Sequence, residues 1–292
     1  MRALILVAIL GATAQGTPLP RGERAPRPKA THVVVQAADL QAQGATLRVA
    51  PGVAVARTGT GVTLLGPVEI RGRLPAGALG ARICREAELR DPRGAVVGRA
   101  APGALVRSSG AGRIEPAPPL HGHLLVDAAA AGTDACSPVL PVPENALLQV
   151  SARTPLAASP RGPARLTLDP GARVEPTAPP DAAGWQPVRT YGAVTVEGWL
   201  PAARLAPDAA PEPAPSRGLA PTHEALTDTP VFADGEGRKT IGLLRGGALV
   251  SVGVEKSGPR VKVMTHGDVV GEIWAPLDAL RPLEASVWAE GR

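Results

Sequence analysis

Hydrophobic and polar residues alternate in short runs along much of the chain. The segments GALVSVGV at 247–254 and RVKVM at 260–264 place valine at every second position, which is the period of a strand with one buried face. Glycine and proline interrupt such runs too often for helices of useful length, and Pro-Gly pairs suit tight turns. The pattern therefore predicts an all-β protein built from short strands.

The chain also repeats itself. VEGWLPAARL at 196–205 and GEIWAPLDAL at 271–280 share Glu, Trp, Pro and Leu at the same spacing. The same offset, applied upstream without gaps, aligns further Thr-Pro, Gly, Leu and Val positions, among them Leu168 with Leu243. Self-similarity at a fixed offset is the signature of a repeated structural unit, so these two segments are predicted to end two copies of one fold.

Two weaker copies lie upstream. PRGAVVGRAAPGALV at 92–106 matches the opening of the third unit, and VPENAL at 142–147 repeats the P-x-x-x-L ending. APGVAV at 50–55 and RLPAGAL at 73–79 supply the same elements once more. The chain is therefore predicted to contain four tandem units.

Units of this size can barely support a core of their own, and a closed antiparallel barrel removes exposed sheet edges. We therefore expect small closed barrels joined by linkers. The predicted segments are a signal peptide at 1–14, a Pro/Arg-rich lead-in at 15–30, units at 31–80, 81–149 (with an insertion), 150–207 and 222–283, a Pro/Ala-rich linker at 208–221 and a tail at 284–292.

The third unit contains ARTPLAASPRGPARLTLDPGARV, then GWQPV, then GWLPAARL. This succession of an opening strand, a variable loop, a glycine, a G-W-x-x-V strand and a G-W-[LV] strand resembles the bacterial SH3-like (SH3b) domain family. The resemblance implies a five-stranded small barrel in which P-x-x-x-L forms a short 3₁₀ turn and the last strand. It further implies that Trp185 and Trp199 are the family's two tryptophans. Trp274 would be the second of them in the fourth unit, where SGPRVKV replaces the first.

The first residues predict export. Met1 and Arg2 precede an apolar run at 3–12, and Ala12-Thr13-Ala14 is a small-residue cleavage site, which together are typical of a secretory signal peptide. A buried N-terminal strand is the alternative. No later run is apolar for long enough to span a bilayer, so we expect an exported protein without stable membrane insertion, in the periplasm or outside the cell.

Charge and composition exclude one class of partner. The formal net charge is +5 and aromatic residues make up only 2% of the chain. No basic stripe interleaves with aromatics, so nucleic-acid binding is not expected. With so few aromatics, large aromatic binding platforms are not expected either.

Cys84 and Cys136 are the only cysteines. They lie near the two ends of the second unit, and the first and last strands of a small barrel are neighbours. In an exported protein a disulfide is the simplest interpretation. Two alternatives stay open: unpaired thiols, or a zinc site completed by His121 and His123.

The candidate ligand-binding residues are Trp185, Tyr191, Trp199 and Trp274. A chain this poor in aromatics needs its tryptophans for packing, so core filling is the competing interpretation for Trp199 and Trp274. Tyr191 lies in the turn-like TYGA and is expected to be exposed.

Asp228, Asp234 and Glu236 cluster in TDTPVFADGEG. Their spacing is not that of a calcium-binding EF-hand loop, so a solvated loop is expected there.

No G-x-S-x-G, H-E-x-x-H or C-x-x-C motif occurs, so no catalytic residues, metal or cofactor are predicted. The family resemblance implies a non-enzymatic protein that binds cell-wall peptidoglycan or another envelope component. The alternative is a protein–protein adaptor that never touches the wall, and a thiol- or metal-dependent enzyme is a distant third.

Overall fold

The computed structural model describes residues 28–108, 110, 112–133, 136–208 and 220–283. These residues form antiparallel β-strands, linked by short 3₁₀ turns and without an α-helix. The predicted all-β class is confirmed. The predicted signal peptide, most of the lead-in, nearly all of the 208–221 linker and the tail lie outside the described residues. No described helix has the length and apolar character that crossing a membrane requires.

The strands recur in seven positions, which we label a to g in chain order within each of four units. The first unit contains β1 (a, His32–Val34), β2 (b, Ala38–Ala42), β3 (c, Ala45–Val49), β4 (d, Ala54–Thr58), β5 (e, Gly61–Leu65), β6 (f, Val68–Gly72) and β7 (g, Leu79–Ile83). The second reuses β7 as its strand a and continues with β8 (b, Ala87–Arg90), β9 (c, Val96–Ala100), β10 (d, Ala104–Ser108), β11 (e, Arg113–Pro116), β12 and β13 (f, Leu120–His121 and Leu124–Leu125) and β14 (g, Ala131–Gly132).

The third unit contains β15 (a, Leu148–Val150), β16 (b, Thr154–Ala157), β17 (c, Ala164–Leu168), β18 (d, Arg173–Pro176), β19 (e, Trp185–Thr190), β20 (f, Val194–Pro201) and β21 (g, Leu205–Pro207). The fourth contains β22 (a, His223–Ala225), β23 (b, Thr229–Phe232), β24 (c, Thr240–Leu244), β25 (d, Leu249–Ser257), β26 (e, Arg260–Thr265), β27 (f, Val269–Pro276) and β28 (g, Leu280–Pro282). One 3₁₀ turn precedes strand g in each unit: Ala76–Ala78, Ala128–Ala130, Ala202–Arg204 and Leu277–Ala279.

The same strand pairings occur in all four units. Strand a pairs with d and g, b with c and f, d with e, and e with f. Within a unit the resulting order is g–a–d–e–f–b–c. The closed barrel expected from the sequence is therefore not formed by these pairings, because the described strands of each unit form an open series with strand c at one end.

The free edge of strand c is covered by another unit. In the first and fourth units, β3 pairs with the beginning of β27 and β24 pairs with the beginning of β6. The second and third units do the same, since β9 pairs with the beginning of β20 and β17 pairs with β12. Units one and four thus form one reciprocal pair. Units two and three, which lie between them in the sequence, form another.

The buried core is divided in the same way. One cluster of buried side chains, which includes Leu47 and Ile273, spans the first and fourth units. A second cluster, which includes Leu89 and Leu200, spans the second and third. Sharing a core between two units compensates for the small size of each.

The second unit ends earlier than the sequence indicates. Its 3₁₀ turn is Ala128–Ala130, where the Asp127 side chain accepts a hydrogen bond from the Ala129 amide, and not the VPENAL segment at 142–147. Of the residues assigned to an insertion in this unit, His121 ends β12 and His123 precedes β13, whereas residues 137–147 follow the last strand of the unit. Residues 137–147 connect the second unit to the third without forming a strand or a helix.

Glycine is required where strand c of one unit crosses strand f of another. A Cβ atom built on Gly242 would lie 2.0 Å from the backbone oxygen of Glu69 in the paired strand. Backbone cannot yield as a side chain can, so Gly242→Ala is expected to destabilise the protein by about 1–3 kcal/mol, as overpacking does. The measurement is urea-induced unfolding.

Gly77→Ala is the matched control, since a Cβ atom there meets nothing within 4 Å. Equal unfolding midpoints for Gly242→Ala and Gly77→Ala would contradict the pairing of the first unit with the fourth.

Candidate functional site

A groove of about 680 Å³ lies on the fourth unit, and Trp274 lines it. One wall is the loop between β23 and β24 at residues 233–239, and the other is the end of the β25–β26 hairpin at Lys256 and Ser257. We call it the Trp274 groove. Here a predicted aromatic residue faces a cavity.

Arg260 holds the loop that forms the first wall. Its guanidinium group lies 3.4 Å from the centroid of the Phe232 ring, a cation–π contact. It also donates hydrogen bonds to the backbone oxygens of Gly235, at 3.1 Å, and Gly237, at 2.5 Å. The loop is thus held in place by the Arg260 side chain, which is itself packed on the ring of Phe232.

Gly235 lies against the indole of Trp274. A Cβ atom on this glycine would lie 3.1 Å from the Trp274 ring and 2.5 Å from the Cβ atom of Ser257. Any larger residue would therefore push the two walls apart, which explains why glycine is needed at this position.

The groove carries charge of both signs. Asp234 and Glu236 line one wall and Lys256 the other, and all three residues are exposed. The Lys262 ammonium group lies 5.6 Å from the centroid of the Trp274 ring and 2.7 Å from Glu255. The hydrogen bond to Glu255 raises the pKa of Lys262, so this cation stays charged across the physiological range.

The hairpin wall exposes an apolar residue. Val254 is 96% exposed and lies where the register between β25 and β26 shifts, which marks a β-bulge. Bulges often redirect side chains next to binding sites. The Trp274 groove therefore combines an indole with charges of both signs, and the hairpin that forms one wall also exposes Val254.

The other predicted residues do not join Trp274. Trp199 has the equivalent position in the third unit, because it pairs with Ala157 as Trp274 pairs with Phe232, and it is half-buried. Trp185 begins β19, and its equivalent in the fourth unit is Arg260.

Trp185 is the first residue of β19 and Tyr191 follows the last one. At the rise per residue of a β-strand, the two residues are about 20 Å apart. Tyr191 is half-buried and not exposed as expected. The Arg173 guanidinium group lies 5.2 Å from its ring centroid, and Arg173 is in turn bonded to Asp208. Tyr191 and Trp185 therefore belong to different surfaces.

The acidic residues of TDTPVFADGEG are also divided. Asp228 is ion-paired with Arg245 at the contact between the fourth and first units, whereas Asp234 and Glu236 lie in the Trp274 groove. In the part of the chain that the structure describes, no group of three or more His, Cys, Asp or Glu side chains is arranged to hold a metal ion.

The predicted disulfide is confirmed: Cys84 and Cys136 are bonded, with their Cα atoms 5.7 Å apart. They follow β7 and β14, which pair with each other. The zinc alternative lacks its thiolate ligands, because the two sulfur atoms are bonded together. His121 instead lies 2.6 Å from an Asp169 oxygen, and His123 lines a separate cavity.

An exposed apolar segment follows Cys136 in the chain. Val139, Leu140 and Val142 are 55%, 53% and 87% exposed, and they alternate with prolines in PVLPVP at 138–143. The Val139 amide donates a hydrogen bond to the Pro102 oxygen. This segment, which we call the proline segment, is therefore anchored at the end that follows the disulfide.

Glu175 anchors the other end of the proline segment. This buried carboxylate accepts hydrogen bonds from the amides of Glu144 and Asn145, at 2.6 and 2.9 Å, and pairs with Arg189 at 2.8 Å. Burial alone would raise the pKa of Glu175, but the hydrogen bonds from Arg189, Asn145 and Glu144 outweigh it and lower the pKa.

Sequence reasoning missed Phe232 and Arg260, which shape the groove. The available signal was that Phe232 is the chain's single phenylalanine, next to the glycine-rich ADGEG. Comparison with known proteins adds no residue, since no family model, curated protein or solved structure matches this chain.

Glu175→Gln is expected to destabilise the protein by about 1–3 kcal/mol at neutral pH, because it removes a charged acceptor from a buried network. The pKa of Glu175 is lower in the folded state, so the unfolded chain binds more protons between the two values. The contribution of the charged Glu175 to the free energy of unfolding is complete above its ordinary pKa of 4.5. It is lost as the pH falls through the pKa of Glu175 in the folded state.

The measurement is urea unfolding of both proteins at pH 7 and at decreasing pH below 4.5. The difference in free energy of unfolding should shrink with acidification, while the exposed-site control Glu197→Gln should behave as the unmodified chain does. A difference that stayed constant in acid would contradict the role given to Glu175.

Proposed function

We propose that this chain is an exported, non-enzymatic binding protein that contacts cell-wall peptidoglycan or another envelope component through SH3-like modules. Three features of each unit support SH3-like modules. They are a b–c hairpin inserted after the first strand, a three-strand d–e–f meander, and a 3₁₀ turn before the last strand, which returns to pair with the first. In the proposed modules the barrel is opened where strand c pairs with another unit.

The observation that carries the proposal is the Trp274 groove. An indole face packs well against apolar groups and sugar rings. The carboxylates of Asp234 and Glu236 attract amines, and Lys256 attracts carboxylates. Peptidoglycan presents all three chemistries, because its sugars carry short peptides that have amine and carboxylate groups.

Export is supported by two features. The N-terminal sequence has the pattern of a signal peptide, and the Cys84–Cys136 disulfide is of a kind that persists in oxidising compartments. A polymeric wall would also allow several chains to bind side by side, so modest affinity at one groove suffices.

The test is co-sedimentation of residues 15–292 with purified peptidoglycan at low and physiological salt. Retention is expected to persist at physiological salt, since stacking on Trp274 is screened less than surface charge attraction is. Trp274→Ala is expected to weaken binding about tenfold, as loss of a buried aromatic contact does. Thermal unfolding of each variant confirms that it is folded.

Trp185→Ala is the matched control, because it removes a half-buried tryptophan from the third unit and leaves the Trp274 groove intact. Loss of retention in Trp185→Ala alone would move the contact to the third unit. No retention at physiological salt, or retention that is indifferent to Trp274→Ala, contradicts wall binding through this groove.

A protein–protein adaptor is the second candidate, and the proline segment favours it. Exposed apolar residues between prolines suit recognition by aromatic-lined grooves of other proteins, because proline restricts the backbone and so lowers the entropy lost on binding. Anchors at both ends reduce the ordering cost of binding further.

An adaptor predicts chemical cross-linking of the intact chain to an envelope protein, lost in Leu140→Asp and kept in Trp274→Ala. Leu140 is exposed and Trp274 is half-buried beside an open groove, so both variants should fold, as circular dichroism would verify. Cross-linking that is unchanged in Leu140→Asp would exclude the proline segment as the contact.

A further inference from the structure

A second cavity of about 390 Å³ lies where the first, second and fourth units meet. The first unit contributes the turns before β4 and between β5 and β6, the second contributes Arg82 and Thr133, and the fourth contributes the turn between β26 and β27. We call it the junction cavity. Its volume lies within the range of small-molecule sites, which often form at interfaces between structural units.

Most of the lining is apolar. Val53, Val68 and Val269 are buried, and Leu65 is half-buried. These side chains belong to two units whose pairing is fixed by strand hydrogen bonds. The apolar surface is therefore preformed and does not have to be assembled by a ligand.

Two opposite charges share this lining. Arg82 is half-buried, and one of its terminal nitrogens donates a hydrogen bond of 2.7 Å to the Gly52 oxygen, which holds the guanidinium group in place. Asp268 is exposed, and its backbone oxygen accepts a hydrogen bond of 2.7 Å from the Ala50 amide, which fixes the turn that carries the carboxylate.

The remaining titratable group is neutral. His266 lies 2.7 Å from the Ser251 hydroxyl oxygen, and burial lowers its pKa. At neutral pH the junction cavity therefore presents one cation, one anion and an apolar surface.

We propose that the junction cavity binds a small zwitterion with an apolar side chain, of the class of free apolar amino acids and dipeptides. Arg82 binds the carboxylate, Asp268 binds the ammonium group, and the valines contact the side chain. Guanidinium–carboxylate contacts are among the stronger hydrogen bonds available to a protein. The proposal does not rest on the Trp274 groove, which lies elsewhere on the fourth unit.

The test is calorimetric titration of the intact chain with L-leucine and L-leucyl-L-leucine. The matched probes are N-acetyl-leucine, which lacks the ammonium group, and leucinamide, which lacks the carboxylate. Removing either charge is expected to weaken binding roughly tenfold or more, since each takes away a charge-assisted hydrogen bond. Equal binding of all probes would overturn the proposal, as would no binding of either zwitterion at millimolar concentration.

Variants locate the site. Asp268→Asn is expected to weaken leucine binding to the level of N-acetyl-leucine, and Arg82→Gln to that of leucinamide. The controls Asp278→Asn and Arg85→Gln change exposed residues of the same two units outside the cavity. Because Arg82 also bonds to Gly52, a poorly folded Arg82→Gln leaves the exposed Asp268→Asn as the deciding variant. Leucine binding that is indifferent to Asp268→Asn overturns the assignment.

Trp274→Ala separates this proposal from the proposed function. Leucine binding should survive in that variant, whereas peptidoglycan retention should not. Loss of leucine binding in Trp274→Ala would place the ligand in the Trp274 groove and refute the junction cavity.

Discussion

The edge of strand c is the constraint on which the rest of this fold depends. An edge strand leaves a row of backbone amides and carbonyls without partners, and in every unit strand c is bonded to strand b on one side only. The first half of strand f likewise has no paired neighbour within its own unit. Each unit therefore has two unpaired edges, strand c and the first half of strand f, and strand c of each unit pairs with strand f of its partner. Pairing between units takes the place of barrel closure.

Charges where strand f of one unit pairs with strand c of another disfavour an exchange of partners between the two pairs of units. Glu69 on strand f of the first unit meets Arg245 of the fourth. At the equivalent place in the other pair the carboxylate follows strand c instead of lying on strand f, since the ring of His121 on strand f lies against Asp169 of the third unit. Exchanging the partners would set Glu69 against Asp169, two like charges at a partly buried contact. Repulsion of that kind disfavours the wrong partner, as the Glu69–Arg245 ion pair favours the right one.

Local patterns predicted what depends on local physics. Alternation gave the strands, and the neighbouring ends of one unit gave the Cys84–Cys136 pair. The pairing of units could not be predicted from local patterns, because it joins strands that are far apart in the sequence. The sequence of a strand does not indicate which distant strand pairs with its edge. The gapless repeat also aligned Leu168 with Leu243, whereas the strand register equates Leu168 with Leu244. The loop after β23 is one residue longer than its counterpart after β16, and composition does not reveal such a difference.

The Trp274 groove shows how one departure from a repeat can change the chemistry of a surface. The sequence singled out Trp274 and showed that SGPRVKV replaces the Gly-Trp of the third unit, but it did not show what the replacement does. Arg260, which has the place of Trp185, instead stacks on Phe232 and bonds to two backbone oxygens of the facing loop. A second tryptophan could pack on Phe232 but has one N–H donor, so it could not hold two carbonyls at once. The loop position, and with it the charged wall opposite Lys256, therefore depends on arginine at this position.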